Sequence, residues 1–227
     1  IIIKPMDELY GNETTTSQDE LEVRYDKELS EAERKQASAP DKDPDRKHFR
    51  HFDYGIDTQD NVIIIEGEIQ SGMTFDVISK SRLLNKLNGG DVKTFNILLN
   101  TPGGDVIETL GLIDFMRSQE KQGIKYNIIV RGAAMSAGAL LLACGTGTRM
   151  ASKHSKIMVH QLSTVVVGKL SDVKSNAKFS EELESDCNQL MAECTKKDKE
   201  HWESISSNDY FISSEQALEL GIIDKII

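Results

Sequence analysis

The chain has 227 residues, 28% of them charged and 38% hydrophobic, with a formal net charge of -10. That length suits one core of ordinary size plus an appendage, and the composition suits a soluble globular protein. The acidic balance argues against nucleic acid as a partner, because phosphate binding needs a basic surface, and no apolar run approaches the ~20 residues of a membrane helix.

The opening Ile1-Ile2-Ile3 is closed off by Lys4-Pro5 and lacks the parts of a signal peptide, so a cytoplasmic protein is expected. The start at Ile rather than Met suggests a trimmed or partial chain. Residues 1–48 are charged and poor in large apolar groups. Within them Ser17-Gln18-Asp19-Glu20 has the form of a capping box, and Leu21, Tyr25, Leu29 and Ala32 follow at helical spacing. Ala39-Pro40-Asp41-Lys42-Asp43-Pro44-Asp45 reads as a disordered linker. Residues 1–48 are thus expected to form an acidic, flexible arm, or alternatively a partner-binding or removable segment, and residues 49–227 a folded domain.

From there short apolar strands alternate with helices. Strands are predicted at 62–65, 95–99, 126–131, 157–160 and 164–167. Helices are predicted at 73–87, 106–118, about 134–144 and 171–203, with a short one starting at Ser214 and closing at Gly221. Such alternation implies a mostly parallel sheet, because parallel strands need crossovers. The continuous apolar runs predict strands buried on both faces. Cys144, Cys187 and Cys194 form no close metal-binding pair and read as reduced thiols, with Cys144 in an apolar run that suits the core.

Four segments can carry chemistry. In Gly132-Ala133-Ala134-Met135-Ser136-Ala137-Gly138-Ala139, a serine in the first turn of a helix would sit near unpaired N–H groups and the positive end of the helix dipole. That position can stabilise an oxyanion; by itself, Ser136 could equally be a packing residue. Asn100-Thr101-Pro102-Gly103-Gly104-Asp105 joins a strand to a helix, and its glycines would let a substrate approach the main chain, so the Gly104 N–H could donate to an oxyanion. His160 ends a strand and could serve as a general base or be a structural histidine. His48, His51, His154 and His201 have polar neighbours and read as solvated. Asp209 lies between a long helix and an apolar pair. It could be a buried carboxylate that orients an imidazole, or a turn residue.

Taken together these segments resemble the ClpP family. The Ser136 run resembles its nucleophile motif, Lys156-Ile157-Met158-Val159-His160-Gln161 its histidine motif, and Asn100-Thr101-Pro102-Gly103-Gly104 its oxyanion loop. Asp209-Tyr210-Phe211-Ile212-Ser213-Ser214-Glu215-Gln216-Ala217, with Gly221-Ile222-Ile223-Asp224, resembles its aspartate motif and C-terminal helix. His160 follows Ser136 by 24 positions and Asp209 follows His160 by 49, a spacing similar to the family's. The resemblance covers about residue 53 to the C-terminus.

It implies an α/β, ClpP/crotonase-like fold with a long handle helix near 171–203, and a serine endopeptidase in which Ser136, His160 and Asp209 are catalytic. The N–H groups of Gly104 and Ala137 would form the oxyanion hole, with no metal or cofactor. It also implies polypeptide substrates, a homo-oligomer of heptameric rings, usually stacked in pairs, and an AAA+ unfoldase as partner. Gly168 falls where the family has a glycine beside its substrate-binding strand. Leu162 stands where the family usually has proline. Asn208 stands where it often has an arginine that pairs across the ring contact, leaving Asp172 as a carboxylate without that partner. Other readings on related scaffolds are a non-catalytic ring subunit, a crotonase-like acyl-CoA enzyme, a membrane-associated Ser–Lys peptidase and a phage-type head-maturation protease.

Overall fold

A computed structural model describes residues 55–205 and 207–227. The expected arm, its helix and linker, and His48 and His51 lie outside the described residues. Among those described, no helix is long and apolar enough to cross a membrane.

The chain runs β1 (Ile56–Asp57), β2 (Val62–Glu66), α1 (Met73–Leu87), β3 (Thr94–Thr101), α2 (Val106–Glu120), β4 (Lys125–Met135) and α3 (Ala137–Ala143). Then come β5 (Arg149–Ala151), β6 (Lys156–Val159), α4 (Leu170–Cys194), α5 (Lys199–Ile205), β7 (Tyr210–Ile212), α6 (Ser214–Leu220) and β8 (Lys225–Ile226). One sheet has the order β1-β2-β3-β4-β5-β8, while β6 pairs with β4 and β7 with β6. The inner pairs are parallel, and only β1 with β2 and β6 with β7 are antiparallel. The α/β, mostly parallel architecture expected from the alternation is present.

β4 organises the sheet because it serves two neighbours in turn. Its first half pairs with β5 (Ile128 with Arg149, Val130 with Ala151), and its second half with β6 (Ala133 with Lys156, Met135 with Met158). Between them the Asn100 side-chain oxygen accepts a bond from the Ala133 N–H at 3.0 Å, across the irregularity between Leu99 and Thr101 of β3. The core gathers the inward face of these strands (Ile63, Ile65, Ile97, Leu99, Ile128, Val130) under Leu112, Met116, Leu141 and Trp202. Each such fully buried side chain contributes ~1.5–3 kcal/mol of transfer free energy.

The structure corrects several expectations. The strands alternate fully buried with half-buried residues instead of being buried on both faces, so one face of the sheet is only partly covered. The helix expected from about 134 starts at Ala137, because Ala133, Ala134 and Met135 pair with β6 and extend the strand. Residues 164–167 form no strand, and Val165 and Val167 are 91% and 93% exposed. The helix expected over 171–203 is two helices. Thr195 leaves helical geometry, its hydroxyl donates to the Met191 carbonyl at 2.6 Å and accepts from the Trp202 indole at 3.1 Å, and Lys196 N–H bonds to Leu220. His201 is not simply solvated: its ring stands edge-on to Trp202 and its Nε2 is buried.

Candidate active site

Three strand ends converge. The pairing of Met135 with Met158 and of Val159 with Tyr210 places the residues just beyond β4 and β6, and just before β7, side by side. Those residues are Ser136, His160 and Asp209. Ser136 is the N-cap of α3 and not a member of its first turn. Its backbone has φ 54 and ψ -124, a conformation rare for a side chain with a Cβ. Its N–H is anchored to the Met158 carbonyl at 2.8 Å and its carbonyl accepts the first helical bond, from Ala139 at 2.9 Å. The strained corner turns the hydroxyl toward the histidine, and His160 Nε2 lies 2.8 Å from Ser136 Oγ.

Asp209 Oδ1 is 3.4 Å from His160 Nδ1, within ion-pair range but longer than a good hydrogen bond. The expectation of a buried carboxylate is not met: the Asp209 side chain is 59% exposed, against 26% for His160. It belongs to the turn that enters β7.

The Pro102-Gly103-Gly104 turn packs onto the β4–α3 corner. A methyl group on Gly103 would lie 2.7 Å from the Ser136 Cβ and 3.3 Å from the Ala137 nitrogen. The turn is held by Thr101, whose hydroxyl accepts from Gly103 N–H at 3.1 Å, and by a bridge from Gly104 to Ile69. Asp105 then caps α2, its carboxylate accepting from Ile107 and Glu108 N–H. Among the described residues the N–H groups of Gly104 and Ala137 donate no hydrogen bond. Both donors are thus unclaimed, one in the helix turn that follows the serine and one in the loop packed on that corner, and unclaimed N–H groups can stabilise an oxyanion.

A groove open to solvent starts at Ser136 and His160. Val106, Leu140, Leu162 and Met191 give it apolar walls, and α4 adds Glu184, Cys187 and Asn188. Sequence reasoning read α4 only as a handle and missed this wall. The signal was present: positions 184, 187, 188 and 191 fall at i, i+3, i+4 and i+7, the spacing of one helical face. Gly168 lies outside the groove lining; a methyl there would make ordinary contact with Asp172.

The sequence pattern of the Clp protease family matches residues 50–227. The ATP-dependent Clp protease proteolytic subunit 2 of Chlamydia trachomatis serovar D is 34% identical over 170 residues, which are 74% of this chain and 81% of the relative. The subunit 2 of Chlamydia pneumoniae and the subunit 1 of Chlamydia felis are each 32% identical over the same length and the same shares.

Proposed function

This chain belongs to the Clp protease family, and from that premise we propose that Ser136, His160 and Asp209 are the catalytic residues of its serine endopeptidase activity on polypeptides. The observation that carries the assignment is the run of contacts from Ser136 Oγ to His160 Nε2 at 2.8 Å and from His160 Nδ1 to Asp209 at 3.4 Å, beside an apolar-walled groove. His160 takes the proton of Ser136 as the hydroxyl attacks the scissile carbonyl. The N–H groups of Gly104 and Ala137 hold the oxyanion, and Asp209 orients the ring and stabilises its cation. The imidazolium then protonates the leaving amine, and a water activated by the same base releases the acyl group. The apolar walls of the groove suit an apolar side chain on the acyl side of the cut bond.

Assembly belongs to the same reading. Heptameric rings would enclose the sites, and an AAA+ unfoldase would thread polypeptide into them. The exposed Val165, Val167, Leu170 and Phe179 supply apolar surface for neighbouring subunits. Asn208 carries no charge, so any contact between rings at that position lacks an arginine–carboxylate pair.

The test is labelling with a fluorophosphonate probe together with hydrolysis of fluorogenic peptides. Label should fall on Ser136, and Ser136→Ala should lose both label and turnover while keeping its circular dichroism. A Ser136→Ala variant that still turns over would refute the assignment.

A further inference from the structure

Cys144 caps the C-terminal end of α3 and Cys194 is the last residue of α4; both are unbridged thiols. The sequence shows no close metal-binding pair among the cysteines, and the fold sets these two sulfurs 2.9 Å apart. Cys144 is 3% exposed, Cys194 is half-buried, and solvent reaches the pair from the Cys194 side. Charged groups converge on that side from three elements. Arg117 of α2 points Nη2 at Cys194 Sγ, 3.4 Å away, and also pairs with Glu193 of α4 at 3.5 Å. Arg149 of β5 donates Nη1 to the carbonyls of both Ala143 and Cys194, at 2.9 and 2.7 Å, and thereby pins the two helix ends together.

We propose that Cys144 and Cys194 form an oxidisable dithiol site, which hydrogen peroxide or an alkyl hydroperoxide closes to an intrachain disulfide. The two thiols have different characters. The Cys194 thiol is lowered to about 7, first by the S–H of Cys144 and then, against burial, by Arg117 and Arg149. Either thiol can donate the shared hydrogen, but the guanidinium lies on the Cys194 side, so the anion belongs there and Cys144 is the donor. Cys144 is raised by that bond and by burial. Cys187, in the groove wall, is pushed up to about 11 by burial and by Asp186 and Glu184, and stays a thiol. Attack therefore begins at Cys194, the more exposed and more ionised sulfur.

The Cys194 thiolate attacks one peroxide oxygen; an S–O bond forms, the O–O bond breaks, and hydroxide leaves to become water. The sulfur of Cys144 then attacks the sulfenic sulfur; the S–S bond forms, the S–O bond breaks, and the departing hydroxide takes the Cys144 proton. Two thiols and one hydrogen peroxide give one disulfide and two waters, and two electrons pass from sulfur to oxygen. Reaching an S–S bond of ~2.05 Å needs the sulfurs to close by less than ~1 Å. The product would tie the far end of α3, the helix that Ser136 caps, to the far end of α4, the helix that lines the groove.

The experiment treats the full chain with hydrogen peroxide, then alkylates and maps it under non-reducing conditions. Expected is a loss of two hydrogen masses, one cross-linked pair of peptides containing Cys144 and Cys194, and Cys187 alkylated. The Cys187→Ser variant should cross-link like the parent, and Cys194→Ser should not. Arg117→Ala should slow cross-linking about tenfold at pH 7, where it reduces the thiolate fraction, and little at pH 9.5. Free, alkylatable Cys144 and Cys194 after treatment, a bridge through Cys187, or irreversible oxidation of Cys194 without a bridge would each overturn the proposal. None of these readouts depends on peptidase activity, so the dithiol and the catalytic assignment stand or fall separately.

Discussion

Gly104 shows how little tolerance the site has at the scale of one residue. Its φ is 142, outside the range of ordinary side chains, and a methyl group built there would collide with the Ile69 carbonyl. Nothing flexible stands in the way; the obstacle is backbone paired with the turn itself. The turn must shift if a Cβ is added, and its N–H shifts with it. Gly104→Ala should therefore keep the fold and lose ~10²–10³-fold in kcat, the cost of displacing one oxyanion donor, with KM changed far less. Steady-state hydrolysis of a fluorogenic peptide measures both constants, and near-parental kcat would show that the Gly104 N–H does not face the oxyanion. Ser136 makes the complementary point. Its left-handed backbone is the strain that presents the hydroxyl.

Among elements, Arg149 is the junction. It starts β5, meets Asp224 just before β8 with Nη2 at 2.6 Å and Nε at 3.0 Å, and holds the carboxyl ends of α3 and α4 through two carbonyls. Burial pushes the Asp224 carboxyl up, but the side-chain and backbone bonds from Arg149 outweigh it and hold the group below its ordinary 3.8. A carboxyl with a depressed folded value adds stability that is fully present above its unfolded value and is lost as pH falls through the folded one. Arg149→Met should cost ~2–4 kcal/mol at pH 7, since it leaves a carboxylate and two helix-end carbonyls without their partner. Asp224→Asn should be less stable than the parent by a constant amount above about pH 5, the gap narrowing below about pH 4. Urea unfolding at pH 7, 4 and 3 checks this; a gap independent of pH would mean the charge of Asp224 plays no part. This junction was invisible in the sequence because its partners lie 75 positions apart in the chain. The same holds for Cys144 and Cys194. What was legible had local cause: a β-branched run marked β2, a short apolar run marked β3, the expected helix at 73–87 matches α1 to the residue, and the Gly-Gly turn and the His160 strand end were visible as motifs. The second half of β4 was not, since Gly132, Ala133 and Ala134 carry no β signal; Ala133 and Ala134 pair with β6, and Ala134 also with Thr101 of β3. Residues 164–167 failed in the opposite direction: Val165-Val166-Val167 has strand composition, but no partner strand lies beside it among the described residues.

That unpaired segment matters most for the whole molecule. It ends a stretch, residues 161–167, that follows His160 directly, and Leu162 in that stretch lines the groove. From Gln161 to Val167 no backbone group makes a backbone hydrogen bond among the described residues. A stretch with free N–H and C=O groups that ends in a β-branched run is a template for pairing with another chain, and soluble proteins usually blunt such edges with charge. Leu170 and Phe179, on the α4 helix that follows, are exposed as well, at 71% and 53%. Polar groups that water satisfies in one subunit would be satisfied by a second copy in an assembly, with apolar area removed from water at the same time. Two such segments meeting across rings would also fix the flank of each groove, linking assembly to activity without a charge pair at Asn208. Native mass spectrometry of the full chain should give a multiple of seven subunits. Replacing Val165 and Val167 together by Asp should lower the assembly from paired to single rings or smaller species, and peptide turnover should fall with it, while the circular dichroism stays that of the parent. If the double variant keeps the parental mass, the segment lies outside the contact and its apolar exposure serves substrate instead. If the mass drops and turnover does not, the groove is complete within one ring.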